Sequence, residues 1–156
     1  MDDKISTAAE ALERDACKPC GSAVHSDPKA HSVEQEPLPE SLAKTPVEQK
    51  SPAEWAYQRL ILYIQNFEKT LDTEEEVAMG FTDTGAGVLR IEGLGYFDPD
   101  IVTFYGTDQT GARVQLVQHV SQLNVLLRST PKPSEVAEPR RIGFRLAEAL
   151  DEGSGA

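Results

Sequence analysis

The spacing of apolar residues changes once along the central part of the chain. Between residues 51 and 71 the apolar positions lie three or four apart, as on one face of an α-helix. Ser51-Pro52-Ala53-Glu54 begins this stretch as a capping box, with proline at the first helical position. Further along, apolar residues alternate with polar or small ones, which indicates β-strands. The pattern predicts a helix from Pro52 to about Leu71, followed by strands.

Turn sequences divide the alternating region into five short strands. The predicted strands cover residues 77–82, 88–97, 101–105, 113–120 and 124–128. Gly93 and Gly95 lie inside the second strand, where glycine often marks a bulge or a sharp bend. No helix separates the strands, so the sheet is expected to be antiparallel. We therefore predict an α+β fold, in which an N-terminal helix precedes a five-stranded, strongly bent antiparallel sheet or small barrel.

The segment before this helix-and-sheet domain (residues 51–133) has a different composition. None of the ten aromatic residues precedes Trp55, whereas six of the ten prolines lie in residues 1–52. Such a segment buries too little apolar surface to offset the entropy lost on ordering. Residues 1–50 are therefore predicted to form a disordered, acidic, proline-rich arm.

The C-terminal tail, residues 134–156, allows two interpretations. Ile142, Phe144 and Leu146 alternate with other residues and would suit a strand added to an exposed edge of the sheet. A short helix over Leu146–Leu150 is the alternative. The basic residues nearby (Arg140, Arg141 and Arg145) would contact an acidic face of this protein or of a neighbour.

The charge excludes one class of function and disfavours another. The formal net charge is −11, and residues 53–133 alone contain six basic against eleven acidic side chains. A simple cationic nucleic-acid or membrane-surface protein is excluded, because phosphate contacts require an excess of Lys and Arg. No apolar stretch is long enough to span a membrane, and the N-terminus has no apolar segment typical of a signal peptide. A cytoplasmic location is expected.

The arm contains four residues of the types that bind zinc. Cys17 and Cys20 form a C-x-x-C pair, followed by His25 and His31. Only four residues separate Cys20 from His25, too few for the hairpin or helix that zinc fingers place there. A redox dithiol would normally lie on a βα unit, and none is predicted. We expect reduced cysteines and no metal or other cofactor.

No other residues suggest catalysis, so an enzyme is not expected. Asp98 and Asp100 flank Pro99, and these residue types are the ones that turns require. His119 is the only histidine of residues 51–133, and no nucleophile is identifiable beside it. The acidic run Glu74-Glu75-Glu76 is interpreted as a solvated linker between the helix and the first strand.

Three short motifs in the strand region carry a resemblance to a known family. Ile91–Asp98 has the apolar-x-Gly pattern leading to Phe-Asp, Ile101–Tyr105 is a short apolar strand, and Gln118-His119 precedes an apolar fifth strand. With the preceding helix, this layout resembles the Sm-like fold of the Hfq type, a small barrel related in shape to SH3 domains. The resemblance implies pairing of the fourth and fifth strands between subunits, and hence a homo-oligomer.

The same resemblance implies a nucleotide pocket, which is altered here. The pocket would use Phe97 and His119, with Gln118 where Hfq proteins have lysine. Pro99 and Asp100 replace the glutamine and the aromatic residue of that family, and the added negative charge disfavours an anionic ligand. RNA is therefore a disfavoured partner.

A second resemblance concerns three short sequence motifs. Trp55-Ala56-Tyr57, Ile64–Glu68 and Gly95–Asp100 are similar to an uncharacterised family of small bacterial proteins, a domain of unknown function. No activity is implied by that likeness.

The function expected from these observations is that of a non-enzymatic interaction module. Trp55, Leu62 and Tyr63 lie off the main apolar stripe of the helix and would present a second contact surface to a protein partner. The module would be homo-oligomeric, with its specific role unknown. The alternative is an Sm-like RNA-binding protein with a degenerate nucleotide pocket.

Overall fold

The computed structural model describes residues 21–39, 42, 49–81 and 87–154. In chain order the longer elements are α1 (Pro52–Glu68), β1 (Glu75–Gly80), β2 (Val88–Phe97), β3 (Ile101–Thr107), β4 (Arg113–His119), β5 (Leu126–Pro131) and α2 (Ile142–Ser154). Two single-turn 3-10 helices cover Val33–Gln35 and Val120–Gln122.

Helix α1 begins where the capping box predicted. The Ser51 hydroxyl accepts the Glu54 amide hydrogen at 3.0 Å, and Pro52 occupies the first turn. The helix ends at Glu68, three residues before the predicted Leu71, because Thr70 and Leu71 form turn hydrogen bonds back to Phe67 and Glu68. Its sheet-facing stripe is buried.

Within the described residues, the five strands form one antiparallel sheet in the order β4-β3-β2-β1-β5. The register between β2 and β3 shifts at Ile91 to Gly93, so a bulge lies where glycine predicted one. The antiparallel five-stranded sheet is thus confirmed. The sheet does not close into a barrel, because β4 and β5 remain separate outer strands.

The core lies between α1 and the inner face of this sheet. Met79, Ile91, Val102 and Phe104 are fully buried there. The rings of Phe81 and Phe104 meet edge to face, with centroids 4.8 Å apart. Alternation along β2 and β3 therefore places one set of side chains inside and leaves the other set on the outer face of the sheet.

The segment before α2 contacts the sheet at the start of β1. Arg140 donates its amide hydrogen to the Glu76 carboxylate at 2.7 Å, and Arg90 lies 3.3 Å from the same carboxylate. Glu75 and Glu76 both belong to β1 and Glu76 is buried, so the interpretation of Glu74–Glu76 as a solvated linker is wrong for these two residues. Arg140 also pairs with Glu92 at 3.5 Å, which confirms that the basic cluster contacts acidic groups of its own chain.

Of the two alternatives for the C-terminal tail, the helix is observed. Helix α2 buries Ile142, Leu146 and Leu150, and no strand is added to the sheet here. Of the three alternating apolar residues that suggested a strand, Ile142 and Leu146 are buried, whereas Phe144 is exposed. Helical spacing of residues 142, 146 and 150 explains which of them are buried.

Part of the predicted arm packs on the domain. Val33, Leu38 and Leu42 are buried in the same apolar cluster as α1. Residues 1–20, 40–41 and 43–48 lie outside the described residues, and with them Cys17 and Cys20. Among the helices of the described ranges, none has the length and apolar character needed to cross a membrane.

Candidate functional site

Two of the predicted ligand-contact residues lie in one row on the outer face of the sheet. Phe97 on β2 pairs with Ile101 on β3, and Ile101 pairs with His119 on β4. Phe97 is 75% exposed, although phenylalanine is normally a core residue. The register thus brings Phe97 and His119 to the same end of the same face.

The third predicted contact, Gln118, lies apart from this row. Neighbouring residues of a strand point to opposite faces, so Gln118 faces the inside of the sheet. Its exposure is 7%, and its side-chain oxygen has no hydrogen-bond partner among the described residues. A ligand on the outer face would not reach it without a rearrangement of β4.

The turn between β2 and β3 forms hydrogen bonds with the start of α1. These bonds give a structural reason for the acidic residues of the turn. Ser51 donates to the Asp98 carboxylate, and Ala53 donates its amide hydrogen to the Pro99 carbonyl at 3.0 Å. The Asp100 carbonyl accepts from the Val120 amide at 2.7 Å. The predicted turn is confirmed, and its two carboxylates are used for structural hydrogen bonds.

The His119 imidazole connects this turn to the 3-10 helix after β4. Its Nδ1 accepts the Ser121 amide hydrogen at 3.0 Å and lies 2.7 Å from the Ser121 hydroxyl. Because Nδ1 is an acceptor, Nε2 carries the hydrogen that it donates to the Asp100 carboxylate at 2.9 Å. His119 thereby acts as the N-cap of Val120–Gln122, and the Gln122 side chain accepts the His119 amide hydrogen in return.

This Asp-His-Ser arrangement was not anticipated, and its geometry does not suit nucleophilic catalysis. In a catalytic triad the imidazole nitrogen facing serine must take the proton of the hydroxyl. Here that nitrogen already accepts the backbone N–H of the same serine. The arrangement fixes the orientation of His119, and the Asp100 carboxylate beside it disfavours a phosphate at this position.

Exposed apolar side chains extend from Phe97 across the outer face. Tyr105 on β3 and Val117 on β4 are both exposed, and Val117 pairs with Thr103 between them. We call Phe97, Ile101, Tyr105 and Val117 the outer patch. The outer patch reaches the outermost strand, β4, which pairs with β3 and with no other described strand.

The predicted partner surface on α1 is a contact surface, but the chain covers it with its own residues. Leu62 is only 5% exposed, and Trp55 and Tyr63 are partly buried. Every residue of α1 from Ala53 to Glu68 is at least partly covered. The helix is therefore enclosed by the sheet, by α2 and by the N-terminal segment.

We call the covering segment Val33–Leu38 the strap. The Arg59 guanidinium donates to the carbonyl oxygens of Val33 and Glu36 at 3.0 and 2.8 Å. The Tyr63 hydroxyl donates to the Glu34 carboxylate at 3.2 Å. Burial, and then the negative charge of Glu34, raise the pKa of Tyr63 above its ordinary value.

Lysine covers the first turns of the same helix face. Lys50 donates to the Gln58 side-chain oxygen at 2.8 Å, and its ammonium lies 5.5 Å from the centre of the Trp55 ring. Burial lowers the pKa of Lys50, against the opposing charge of Glu54. The Trp55 ring is therefore partly covered by a lysine of the same chain.

Sequence reasoning missed the strap because its apolar residues are sparse. Val33 and Leu38 are separated by Glu34-Gln35-Glu36-Pro37, so no periodic pattern marks them. The sequence signal lay on α1, where apolar residues extend beyond the sheet-facing stripe. This pattern indicated a second contact surface on the helix but not the segment that covers it.

No metal site is found among the described residues. His31 forms a contact with the Glu36 carboxylate at 3.2 Å, and His25 is exposed. No group of three or more potential ligands occurs in the described ranges.

Comparison with known proteins assigns a family to most of the domain. Residues 46–145 match the model of a family described only as a family of unknown function, DUF6173. No curated protein and no solved structure gives a significant match to this chain. The match covers α1, all five strands and the start of α2. The chain therefore belongs to the DUF6173 family of unknown function.

Proposed function

We propose that this protein is a non-enzymatic interaction module that forms a homo-oligomer by pairing β4 of one copy with β5 of the next. One observation carries the proposal: among the described residues each outer strand is paired on one side only, β4 with β3 and β5 with β1. The open edge of such a strand presents backbone donors and acceptors that a second chain can satisfy.

The directions of these backbone groups follow from the flanking hydrogen bonds. The Val120 amide donates to the Asp100 carbonyl, and the Asp108 amide donates to the Ala112 carbonyl. On β4, the backbone groups of every second residue between Ala112 and Val120 therefore face β3. The amides and carbonyls of Arg113, Gln115 and Val117 then face the open edge.

The same argument applies to the opposite edge. Lys132 bonds to the Glu74 carbonyl, so Leu126, Arg128 and Thr130 face β1. The backbone groups of Leu127 and Ser129 then face outward. Strands β4 and β5 contain seven and six residues, so the two edges can pair over similar lengths.

Exposed apolar side chains support the same interface. Val117 on β4 is 58% exposed and Leu126 on β5 is 56% exposed. Following the register across the sheet, both lie on the face away from the buried core. Pairing of the two edges would bring apolar surface together as well as backbone groups. The Sm-like resemblance implies the same pairing of fourth and fifth strands.

Light scattering during size-exclusion chromatography tests this assembly. The unmodified chain is expected to elute as an oligomer at micromolar concentration. Ser129→Pro removes an outward N–H from β5 without removing a bond to β1, and should yield monomers. Ser129→Ala keeps that N–H and is the matched control, expected to remain oligomeric. A monomeric unmodified chain, or an unchanged Ser129→Pro oligomer, would contradict the proposal.

A second candidate function is the binding of single-stranded RNA at the outer patch. It is favoured by the exposed Phe97 ring in one row with His119, since nucleobases stack on such rings. The charge of −11 and the Asp100 carboxylate beside His119 oppose it.

Fluorescence anisotropy with a labelled oligouridine separates the two candidates. If the patch binds RNA, Phe97→Ala should weaken binding by about tenfold or more, from the loss of one stacking platform. Phe144→Ala is the matched control, because Phe144 is a similarly exposed ring on α2. Absence of binding at micromolar protein would exclude this second function.

A further inference from the structure

The strap presents main-chain acceptors to one side chain of α1. Arg59 donates to two carbonyl oxygens, of Val33 and Glu36, which lie three residues apart. The 3-10 turn between them presents both oxygens to one guanidinium. A second peptide with the same turn would offer the same two acceptors.

The side chains of the strap add apolar and acidic contacts. Val33 and Leu38 are buried in the cluster that contains Leu62, and Glu34 accepts from Tyr63. The surface of α1 supplies the complementary cation, Arg59. It thus suits a short acidic segment with two apolar residues five positions apart.

The strap is held less completely than the rest of the domain. The second carboxylate oxygen of Glu34 is buried without a hydrogen-bond partner among the described residues. The strap contains one turn of 3-10 helix and pairs with no described strand. A short segment that lies outside the sheet and the two long helices is expected to open at a lower free energy than the core.

The covalent connection allows the strap to reach a neighbouring molecule. Eleven residues, 39–49, lie between the strap and Lys50. At about 3.3–3.6 Å per residue they extend to at most about 40 Å, provided that Leu42 leaves the core together with the strap. Every copy carries both the strap and its site, so contacts within one chain and between two chains are chemically identical.

We propose that the surface formed by Arg59, Leu62 and Tyr63 binds the strap of a second copy of this chain. In one form the strap binds the site of its own chain, and in the other it binds the same site of a neighbouring copy. This interface is distinct from the edges of the sheet and does not depend on their pairing. Exchange of an identical segment between protomers is a low-cost route to association.

A synthetic peptide of residues 31–39 tests the site directly. The full chain with Val33→Asp and Leu38→Asp loses its own strap contact, so its site is expected to bind the labelled peptide at micromolar to submillimolar concentration. A peptide carrying the same two substitutions is the control and should not bind. Adding Arg59→Ala to the chain should weaken binding by about tenfold, as expected for loss of charge-assisted hydrogen bonds. A folded variant that does not bind the peptide would overturn the proposal.

Mixing two full-length variants tests exchange between copies. The ¹⁵N-labelled Arg59→Ala chain holds its own strap less tightly, and the unlabelled Val33→Asp/Leu38→Asp chain offers a vacated site. Mixing should protect the Glu36 amide of the labelled chain from hydrogen exchange, because this amide bonds to Val33 when the turn is formed. Unchanged exchange at high micromolar concentration would overturn the proposal.

Hydrogen exchange on the unmodified chain covers the case in which a variant fails to fold. The Glu36 amide should exchange at least about a hundredfold faster than the Leu62 amide of α1, because the strap opens separately. Equal protection of the two amides would show that the strap unfolds only with the core, which would also overturn the proposal.

Discussion

Helix α2 and the strap both pack on α1, but they are held in different ways. Helix α2 approaches so closely that a Cβ at Gly143 would lie 2.9 Å from the Gln65 Cα, well inside normal contact. The strap instead contacts α1 through long side chains, Arg59 and Tyr63. The α2 contact is sterically specific, whereas the strap contact tolerates adjustment of both partners.

The electrostatics of the two contacts differ as well. Glu68, near the end of α1, is buried and accepts the Gly143 amide hydrogen at 2.8 Å, at the N-terminus of α2. A carboxylate is favourable there because the first amides of a helix lack internal partners. Burial nevertheless raises the pKa of Glu68, against the lowering effects of the Gly143 amide and Arg141. The strap has no equivalent buried cap.

Gly143→Ala tests the close approach of α2 to α1. Alanine normally favours a helix over glycine by about 1 kcal/mol, so a free helix would be stabilised. Here the added methyl meets the Glu68 carboxylate and the Gln65 backbone, and we expect a loss of about 1–3 kcal/mol from overpacking. Urea denaturation measures the free energy of unfolding. Glu148→Ala, at an exposed position of α2, is the control, and a stabilised Gly143→Ala would refute close docking.

Truncation of one leucine on each side of α1 sharpens the comparison. Leu146→Ala removes a buried side chain of α2 and should cost about 2–4 kcal/mol. Leu38→Ala removes an equally buried side chain of the strap, but its cost cannot exceed the free energy that holds the strap closed. We expect about 1 kcal/mol or less, because a separately opening segment contributes little to global stability. Equal losses in urea denaturation would mean that both contacts belong to one cooperative unit.

The smallest effect is expected for Glu68→Gln, and it should depend on pH. Since the folded-state pKa of Glu68 is raised, the folded chain binds its proton more tightly than the unfolded chain. The contribution of Glu68 is fully present below the ordinary pKa and is lost as pH rises through the raised value. Relative to the unmodified chain, Glu68→Gln should therefore gain stability as the pH rises above the ordinary pKa of about 4.

The control for this titration is Glu148→Gln, an exposed carboxylate on α2. It makes the same chemical change away from the contact between α1 and α2, and so reports the effect of losing one carboxylate. A Glu68→Gln difference that is independent of pH would show that Glu68 is not desolvated by α2. A difference of opposite sign would show that the Gly143 amide and Arg141 outweigh burial.

Local signals predicted the individual elements well. The capping box at Ser51 located the start of α1, and Gly93 marked the bulge in β2. The boundaries of β2 were predicted at Val88 and Phe97, as observed. These features depend on residues close in sequence, whose spacing and backbone preferences act wherever the chain folds.

The surroundings of particular side chains were predicted less well. Glu76 looked solvated in an acidic run, yet Arg140 and Arg90 from distant segments surround it. The register places Phe97 and His119 in one row, whereas Gln118 beside His119 faces the other side of the strand. The Asp100 and Ser121 partners of His119 became visible only in the structure.

The sequence by itself determined the helix, the antiparallel strands and their turns, because periodicity and capping act over a few residues. The tertiary structure decided which apolar faces are covered and by what. The strap over Leu62, α2 against Gly143 and the open edges at β4 and β5 all depend on contacts between distant segments. Such contacts arise from shape and burial in the folded chain, which no local pattern records.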